Sequence, residues 1–334
     1  MAGKHPYIPT TPFVADSADN VEAILAKMRH ISFQGRSLAT ALDIWERAVK
    51  RDARIFLGLS GAMVPAGMRL LFVQLIRHKL IHCIVTTGAN TFHDIHESLG
   101  FDHFIGSPFV DDVKLRKQGY DRMYDTLASD DEFIEVDQFT MDVIKKMDTR
   151  GGAIGTPEFY RAIGAAIDER QHRPGFVVEA YKRGVPIFCP AIGDSSLGIA
   201  AAVLAQKDPD QKAIFDVIGD VQELSRLVYE ADETGVVFVG GGTPKNFTQQ
   251  TEVVAHLMGK SVAGHKYCLQ FTQDAPHWGG LSGCTFEEST SWGKIHFEAD
   301  KVTVYVDATI ALPIVVTALI QRLGINTDGD SDLS

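Results

Sequence analysis

The chain has 334 residues, 45% of them apolar, and a formal charge of −11 at neutral pH, which bounds it to one large α/β domain or two ordinary ones with a substantial core. The acidic balance argues against nucleic acid, which needs a basic footprint, and suits small cationic ligands better. Four scattered cysteines with no C-x-x-C pair read as reduced thiols of a cytoplasmic protein, and no run of residues has the apolar length of a membrane span.

In chain order, two amphipathic segments (20–31 and 37–50) precede the first strand-like run at 55–59, which leads into a helical stretch at 66–78. A second apolar run follows at 83–86. The next helix carries His93, Asp94, His96 and Glu97; His-x-x-His spacing can bind a metal, but no third ligand is suitably placed, so a surface helix is expected and no metal. Residues 111–146 are charged and poor in strand formers, as in a helical insertion. Helix at 156–169, strands at 187–190 and 213–217, helix at 221–230, strand at 236–239, helix at 247–258 and strands at 267–271 and 302–306 complete the pattern. This alternation predicts an α/β fold, a Rossmann-like parallel sheet with helices on both faces. We read an N-terminal helical extension (1–52), one continuous catalytic domain (53–326) and a disordered acidic tail (327–334).

Ligands of such a sheet bind where strands lead into helices. Those loops are rich in small and polar residues: Ser60-Gly61-Ala62-Met63-Val64-Pro65, Thr86-Thr87-Gly88-Ala89-Asn90, Gly193-Asp194-Ser195-Ser196, Gly240-Gly241-Gly242 and Asp307-Ala308-Thr309. Glycines let phosphates approach, helix N-termini offer N–H donors, and a carboxylate can hold ribose hydroxyls. The usual G-x-G-x-x-G first turn is absent, so a nucleotide site here departs from the common fingerprint. Gly-Asp-Ser-Ser-Leu-Gly lacks the spacing of a hydrolase nucleophile elbow.

Ser291-Trp292-Gly293-Lys294, with Glu287 and Glu288 upstream, admits two readings. Lys294 either begins an amphipathic strand whose polar face meets water, or is a nucleophile. An amine buried beside an indole loses its proton more easily and can form an imine, the glycine allowing a ligand close to the backbone. His277, Trp278, Gly279 and Gly280 form an irregular loop before it.

Taken together, Ser291-Trp292-Gly293-Lys294, Gly240-Gly241-Gly242-x-x-Lys245, Asp194-x-Ser196-Leu197-Gly198, Thr86-Thr87 and Val306-Asp307-Ala308 occur in the order found in deoxyhypusine synthases. The chain resembles that family from about residue 20 to 323. The resemblance implies a homotetramer of close dimers, with active sites at the dimer interface holding NAD. It implies oxidation of a polyamine by NAD, capture of its 4-aminobutyl group by the lysine, and transfer to an acceptor amine. Lys294 matches the imine-forming lysine, Trp292 the indole beside the polyamine, and Glu288 a carboxylate facing a substrate nitrogen. Gly61, Ala62, Met63, Pro65, Thr87, Gly88, Ala89, Asp194, Gly241, Thr272, Gln273, Asp307 and Ala308 fall on its NAD positions.

Four positions depart from the family pattern. Asn246 stands where a general-base histidine is expected, and Ile199, Leu281 and His93 stand where carboxylates are. Each lost charge-assisted contact is worth roughly 1.5–3 kcal/mol, so a pocket shaped for a triamine should be weakened. Asn246, His93, Gly279 and Gly280 are therefore expected at the substrate end. Three functions fit: transfer to a free polyamine giving a homospermidine-type product, deoxyhypusine synthesis on the hypusine-bearing translation factor, and an inactive NAD-binding regulatory tetramer.

Overall fold

Short apolar runs of β-branched and aromatic residues form nine strands in the computed structural model, which describes residues 7–147 and 152–333. They are β1 (Arg54–Leu59), β2 (Cys83–Thr86), β3 (Phe104–Ile105), β4 (Tyr120–Met123), β5 (Thr126–Ser129), β6 (Ile187–Phe188), β7 (Thr234–Val239), β8 (His265–Thr272) and β9 (Ile295–Tyr305). Six form one sheet in the order β6-β2-β1-β7-β8-β9, every pair parallel. Successive strands run outward from β1 to one side and then resume beside it on the other, so the connection reverses between β1 and β7. That is the switch point at which doubly wound sheets open a crevice.

Side-chain alternation explains why the strands read as unbroken apolar runs. Ile55, Leu57, Leu59, Val237 and Val239 enter one core, whereas Phe56, Val236 and Phe238 enter a second on the opposite face. The helices Val21–Met28 and Phe33–Lys50 join the larger core through Leu25 and Trp45. Trp45 donates its indole N–H to Leu80 O at 3.2 Å, and Arg322 on the last helix pairs with Glu22, Asp43 and Glu46.

Several expectations are corrected. Residues 213–217 contribute one isolated bridge, Ile154 to Phe215, rather than a strand. Asp216 caps a helix there (Val217–Tyr229), its carboxylate accepting Gly219 N–H at 2.7 Å, and the cap outweighs the β-branched composition. The strand expected at 187–190 keeps only Ile187 and Phe188 in the ladder. Residues 111–146 are not wholly helical. Between the helices Asp112–Lys117 and Asp130–Lys146 runs the β4–β5 hairpin, which with β3 makes a small antiparallel sheet. Its turn lacks the usual glycine, and Tyr124 takes the left-handed conformation instead (φ 58°). The helix Gly88–Ser98 is no surface helix: Asn90, Thr91, His93, Asp94 and His96 are all buried. Asp94 accepts the Phe176 and Val177 N–H groups at 2.9 Å and so caps the helix Phe176–Arg183.

The acidic tail is ordered through Leu333; Ser334 lies outside the described residues. Asp328–Leu333 forms a 3-10 turn that buries Asp330. Its carboxylate accepts Gln74 Nε2 at 3.0 Å and Arg77 Nη1 at 3.2 Å, and lies 2.9 Å from His78 Nε2. Burial alone would raise the Asp330 pKa, but these three partners hold it below the ordinary value. A depressed carboxyl pKa contributes stability that is present above the unfolded value near 3.9 and lost as pH falls through the folded one. Asp330→Asn should therefore lower stability by about 1–3 kcal/mol at neutral pH, with the difference from wild type shrinking below about pH 4 in denaturant melts.

Candidate active site

Lys294 reaches its site from the amino end of the sheet, because it immediately precedes β9. Thr285 starts the short helix Phe286–Ser291, its hydroxyl accepting Glu288 N–H at 3.1 Å. Gly293 ends that turn with φ 71°, and no atom lies within 4 Å of where its Cβ would be. The glycine thus serves the left-handed turn that swings Lys294 inward.

Lys294 Nζ donates to Asn246 Oδ1 at 3.1 Å and lies 5.5 Å from the Trp292 ring centroid. A cavity of about 320 Å³ opens here, lined by Lys294, Trp292, Glu288, Asn246, Gly279 and Gly280. Sequence reasoning placed these six at one site, and they share one cavity. The Trp292 side is open, with the residue 66% exposed. Desolvation lowers the Lys294 pKa, while the Cys284 thiol and the Glu288 carboxylate oppose the shift. Half-burial, a carbonyl oxygen from Asn246 and an aromatic face together distinguish Lys294 from a solvated strand residue.

Lys245 lines the same cavity, and sequence reasoning left it without a role. Only 1% exposed, it sits on the first turns of the helix Gly242–Leu257 and donates to Gln270 Oε1 at 2.8 Å and to the Cys284 carbonyl. Desolvation is the main cause pushing its pKa down, and Lys294 adds repulsion. The signal was the buried spacing of a lysine three residues after Gly242, which fits a helix start rather than a solvated face.

The loops at the carboxyl edge of the sheet form two further cavities. One, of about 830 Å³, takes Ala62, Met63, Pro65 and Asp307. The other, of about 350 Å³, takes Ala89, Asp194, Ile199 and His93. His93 is thus separated from the remaining substrate-end residues and stands with Asp194. Gly88 is covered by protein, since a Cβ there would lie 2.3 Å from Ser195 Oγ, so only glycine lets these two loops meet. Gly241 is covered as well, donating its N–H to Ser60 Oγ at 2.9 Å across the switch point. Thr87 precedes the helix Gly88–Ser98 as its N-cap, and Gly61 turns the chain out of β1 with φ 78°. Thr272 Oγ1 accepts Asp274 N–H at 3.1 Å, and Gln273 Nε2 donates to Asp307 Oδ2 at 2.9 Å.

These edge residues fit a dinucleotide. The helices Gly88–Ser98, Ser196–Lys207, Gly242–Leu257 and Ala308–Leu323 all begin there, and helix N-termini favour phosphate groups. The Asp194 side chain is exposed and has no hydrogen-bond partner among the described residues, leaving its carboxylate free for ribose hydroxyls. Asp307 has a second duty that the sequence did not reveal: it caps the helix beginning at Ala308, accepting Thr309 Oγ1 at 2.6 Å and Thr309 N at 2.8 Å, and these bonds hold its pKa down. Asp307→Ala should then cost about 0.5–2 kcal/mol of stability besides any loss of NAD affinity. Asp307→Asn should restore most of the stability but not the affinity, as calorimetry with NAD and thermal melts on both variants would show.

Fold and site together define a Rossmann-like α/β protein with an amine-lined cavity on the flank of its sheet. The chain belongs to the deoxyhypusine synthase family, whose model matches residues 23–319. It is 46% identical over 318 residues to the "Probable deoxyhypusine synthase 2" of Methanosarcina acetivorans, covering 94% of this chain and 90% of that one. It is 37% identical over 300 residues to a "Deoxyhypusine synthase-like protein" of Chlorobaculum tepidum, covering 89% and 85%. In structure it is similar to a candidate deoxyhypusine synthase from Entamoeba histolytica, with a TM-score of 0.62 and 16% identity over 93% of this chain and 96% of the other, a likeness that bears on the fold alone.

Proposed function

We propose that the protein is an NAD-dependent aminobutyltransferase whose acceptor is a small amine. The observation that carries this reading is Lys294 itself: an amine with a lowered pKa, held by Asn246 beside an indole and a carboxylate. NAD, when bound at Asp194, Asp307 and the glycine loops, supplies the oxidising power that turns an amine carbon into an imine carbon. Lys294 in its neutral form then attacks that carbon and expels the remainder of the donor as an amine, holding the 4-aminobutyl fragment as an imine. The acceptor amine displaces the lysine and the product imine is reduced by the hydride held on the cofactor, while Glu288 pairs with a charged substrate nitrogen. Trp292 shields the imine from water.

The same reading implies an assembly. The lysine cavity and the Asp194 and Asp307 cavities are distinct within one protomer, so a homotetramer with active sites at its dimer interfaces is the arrangement that would unite them. Exposed apolar side chains at the lysine cavity, Trp292 and Leu281, and Trp278 on the adjoining loop, suit burial against a partner.

The acceptor follows from what the cavities lack. Asn246 is bonded to Lys294 and has no titratable group, and Ile199 and Leu281 cannot pair an ammonium. A diamine such as putrescine is a better fit than a triamine, with a homospermidine-type product. When one labelled donor is offered putrescine and the translation-factor precursor together, the label should reach the small amine. Label on the protein lysine would establish deoxyhypusine synthesis instead, and no transfer to either would leave a regulatory NAD-binding protein.

A further inference from the structure

At the amino edge of the sheet, where β7 and β8 begin, lies a cavity of about 210 Å³ that shares no lining residue with the three already described. Two local features build its walls. His265 pairs with Ile295 and Tyr267 with Asp300, so Lys266 alone stands opposite residues 296–299 of β9. Such a bulge re-aims side chains, and here it brings His296 to the cavity. Gly264, with φ 86°, closes the loop 261–264 against the bulge. A Cβ there would lie 2.5 Å from His296 N and from the Ile295 carbonyl carbon, so only glycine fits.

Three polar groups of the lining are unpaired. Glu252, on the helix Gly242–Leu257, is only 3% exposed, and its Oε2 has no hydrogen-bond partner among the described residues. Its other oxygen lies 3.6 Å from His265 Nδ1, which itself lies 2.9 Å from Thr234 Oγ1. His265 supplies no positive charge, since burial pushes its pKa down to about 4. Burial also pushes the Glu252 pKa up to about 7, and the Gly264 backbone N–H opposes that only in part. The charged form of this carboxyl group therefore calls for a cation. Lys266 has no partner among the described residues. His296 Nδ1 accepts the Glu298 N–H at 2.9 Å, so the ring hydrogen sits on Nε2, a donor without a partner. The other charged groups nearby are engaged or open to solvent: Glu233 accepts the Tyr267 hydroxyl at 2.9 Å, Lys260 covers the Tyr229 ring at 4.9 Å, and Asp232 is exposed.

We propose that this cavity binds a small aliphatic α-amino acid, its ammonium on Glu252 and its carboxylate on Lys266 and His296. A diamine would bring a second cation against Lys266, and a simple acid would leave Glu252 unpaired. Gly264 meets Glu252 through its N–H and the His296 backbone through its α-carbon, so the two poles lie on either side of a single residue. That short separation suits an α-amino acid rather than a longer zwitterion. Val228, Val262 and Ala263 supply an apolar wall for its side chain. The cavity is smaller than the ~300–1,000 Å³ of pockets for drug-sized ligands, which keeps that side chain short.

Calorimetry on the whole assembled protein tests this with L-alanine, L-valine, isobutylamine (valine without its carboxylate) and isovalerate (valine without its ammonium). One of the two amino acids should bind saturably, and valine at least about tenfold more tightly than either fragment, each of which lacks one charge-assisted pairing. Glu252→Gln, nearly the same in shape, should weaken amino-acid binding by at least about tenfold. Lys266→Met should do the same from a half-buried position, and decides the matter if the buried variant does not fold. Saturating putrescine should not displace the amino acid, which separates this site from the Lys294 cavity. No saturable binding of either amino acid, isobutylamine binding as tightly as valine, displacement by putrescine, or an affinity unmoved by either substitution would overturn the inference. The readout is binding, so a failure of the proposed aminobutyl transfer leaves this result standing.

Discussion

Replacing Lys294 by arginine should abolish borohydride trapping of an aminobutyl-sized adduct and reduce transfer by at least about 10³-fold, as loss of a covalent nucleophile does. Arginine keeps the positive charge and the bond to Asn246 within reach, but its guanidinium stays protonated and forms no imine. NAD affinity should remain close to wild type, because the Lys294 side chain bonds to Asn246 and to none of the residues expected to hold NAD. The wild-type rate should rise with pH through an ionisation below the usual lysine range, since burial disfavours the charged amine and only the neutral form attacks. Mass spectrometry of the trapped protein checks the assignment directly. An adduct that persists in Lys294→Arg would place the nucleophile elsewhere, with Lys245 as the obvious other amine of the cavity.

Mixing two inactive variants should restore activity. Lys294→Ala removes the nucleophile from one cavity, and Asp194→Ala removes the free carboxylate from another in the same protomer. If a site is built from the lysine cavity of one copy and the edge loops of its partner, random re-assortment leaves about a quarter of sites intact. Co-expression with two affinity tags, followed by purification of the doubly tagged assembly, makes the measurement. Activity at the level of the separate variants would show that each protomer works alone. Light scattering on wild type should report four copies, and a monomer at micromolar concentration would remove the basis of the experiment.

Much of the frame was legible in the sequence because it depends on local patterning. Apolar runs at 55–59, 83–86 and 236–239 became β1, β2 and β7 because strands covered on both faces must be apolar throughout. Trp292, Glu288 and Lys294 could be grouped because a single short helix and its glycine exit bring them together. The two-strand hairpin within 111–146 was hidden because its turn uses Tyr124 where a glycine signal was expected. The tail was misread because acidic composition says nothing about a waiting arginine, and Arg77 lies 253 residues before Asp330.

By itself, then, the sequence determined the strand-and-helix alternation, the small-residue loops and the lysine motif, all of which are set by neighbours within a few turns of chain. Only the tertiary structure decided where the expected site residues go: Lys294 and Asn246 to one cavity, His93 with Asp194 to a second, Asp307 to a third. It also turned His93 and Asp94 inward, because the Gly88–Ser98 helix packs beneath the helices Phe176–Arg183 and Ser196–Lys207. That His93 meets His103, and His103 meets Glu97, is likewise a contact that exists only once those side chains are packed together.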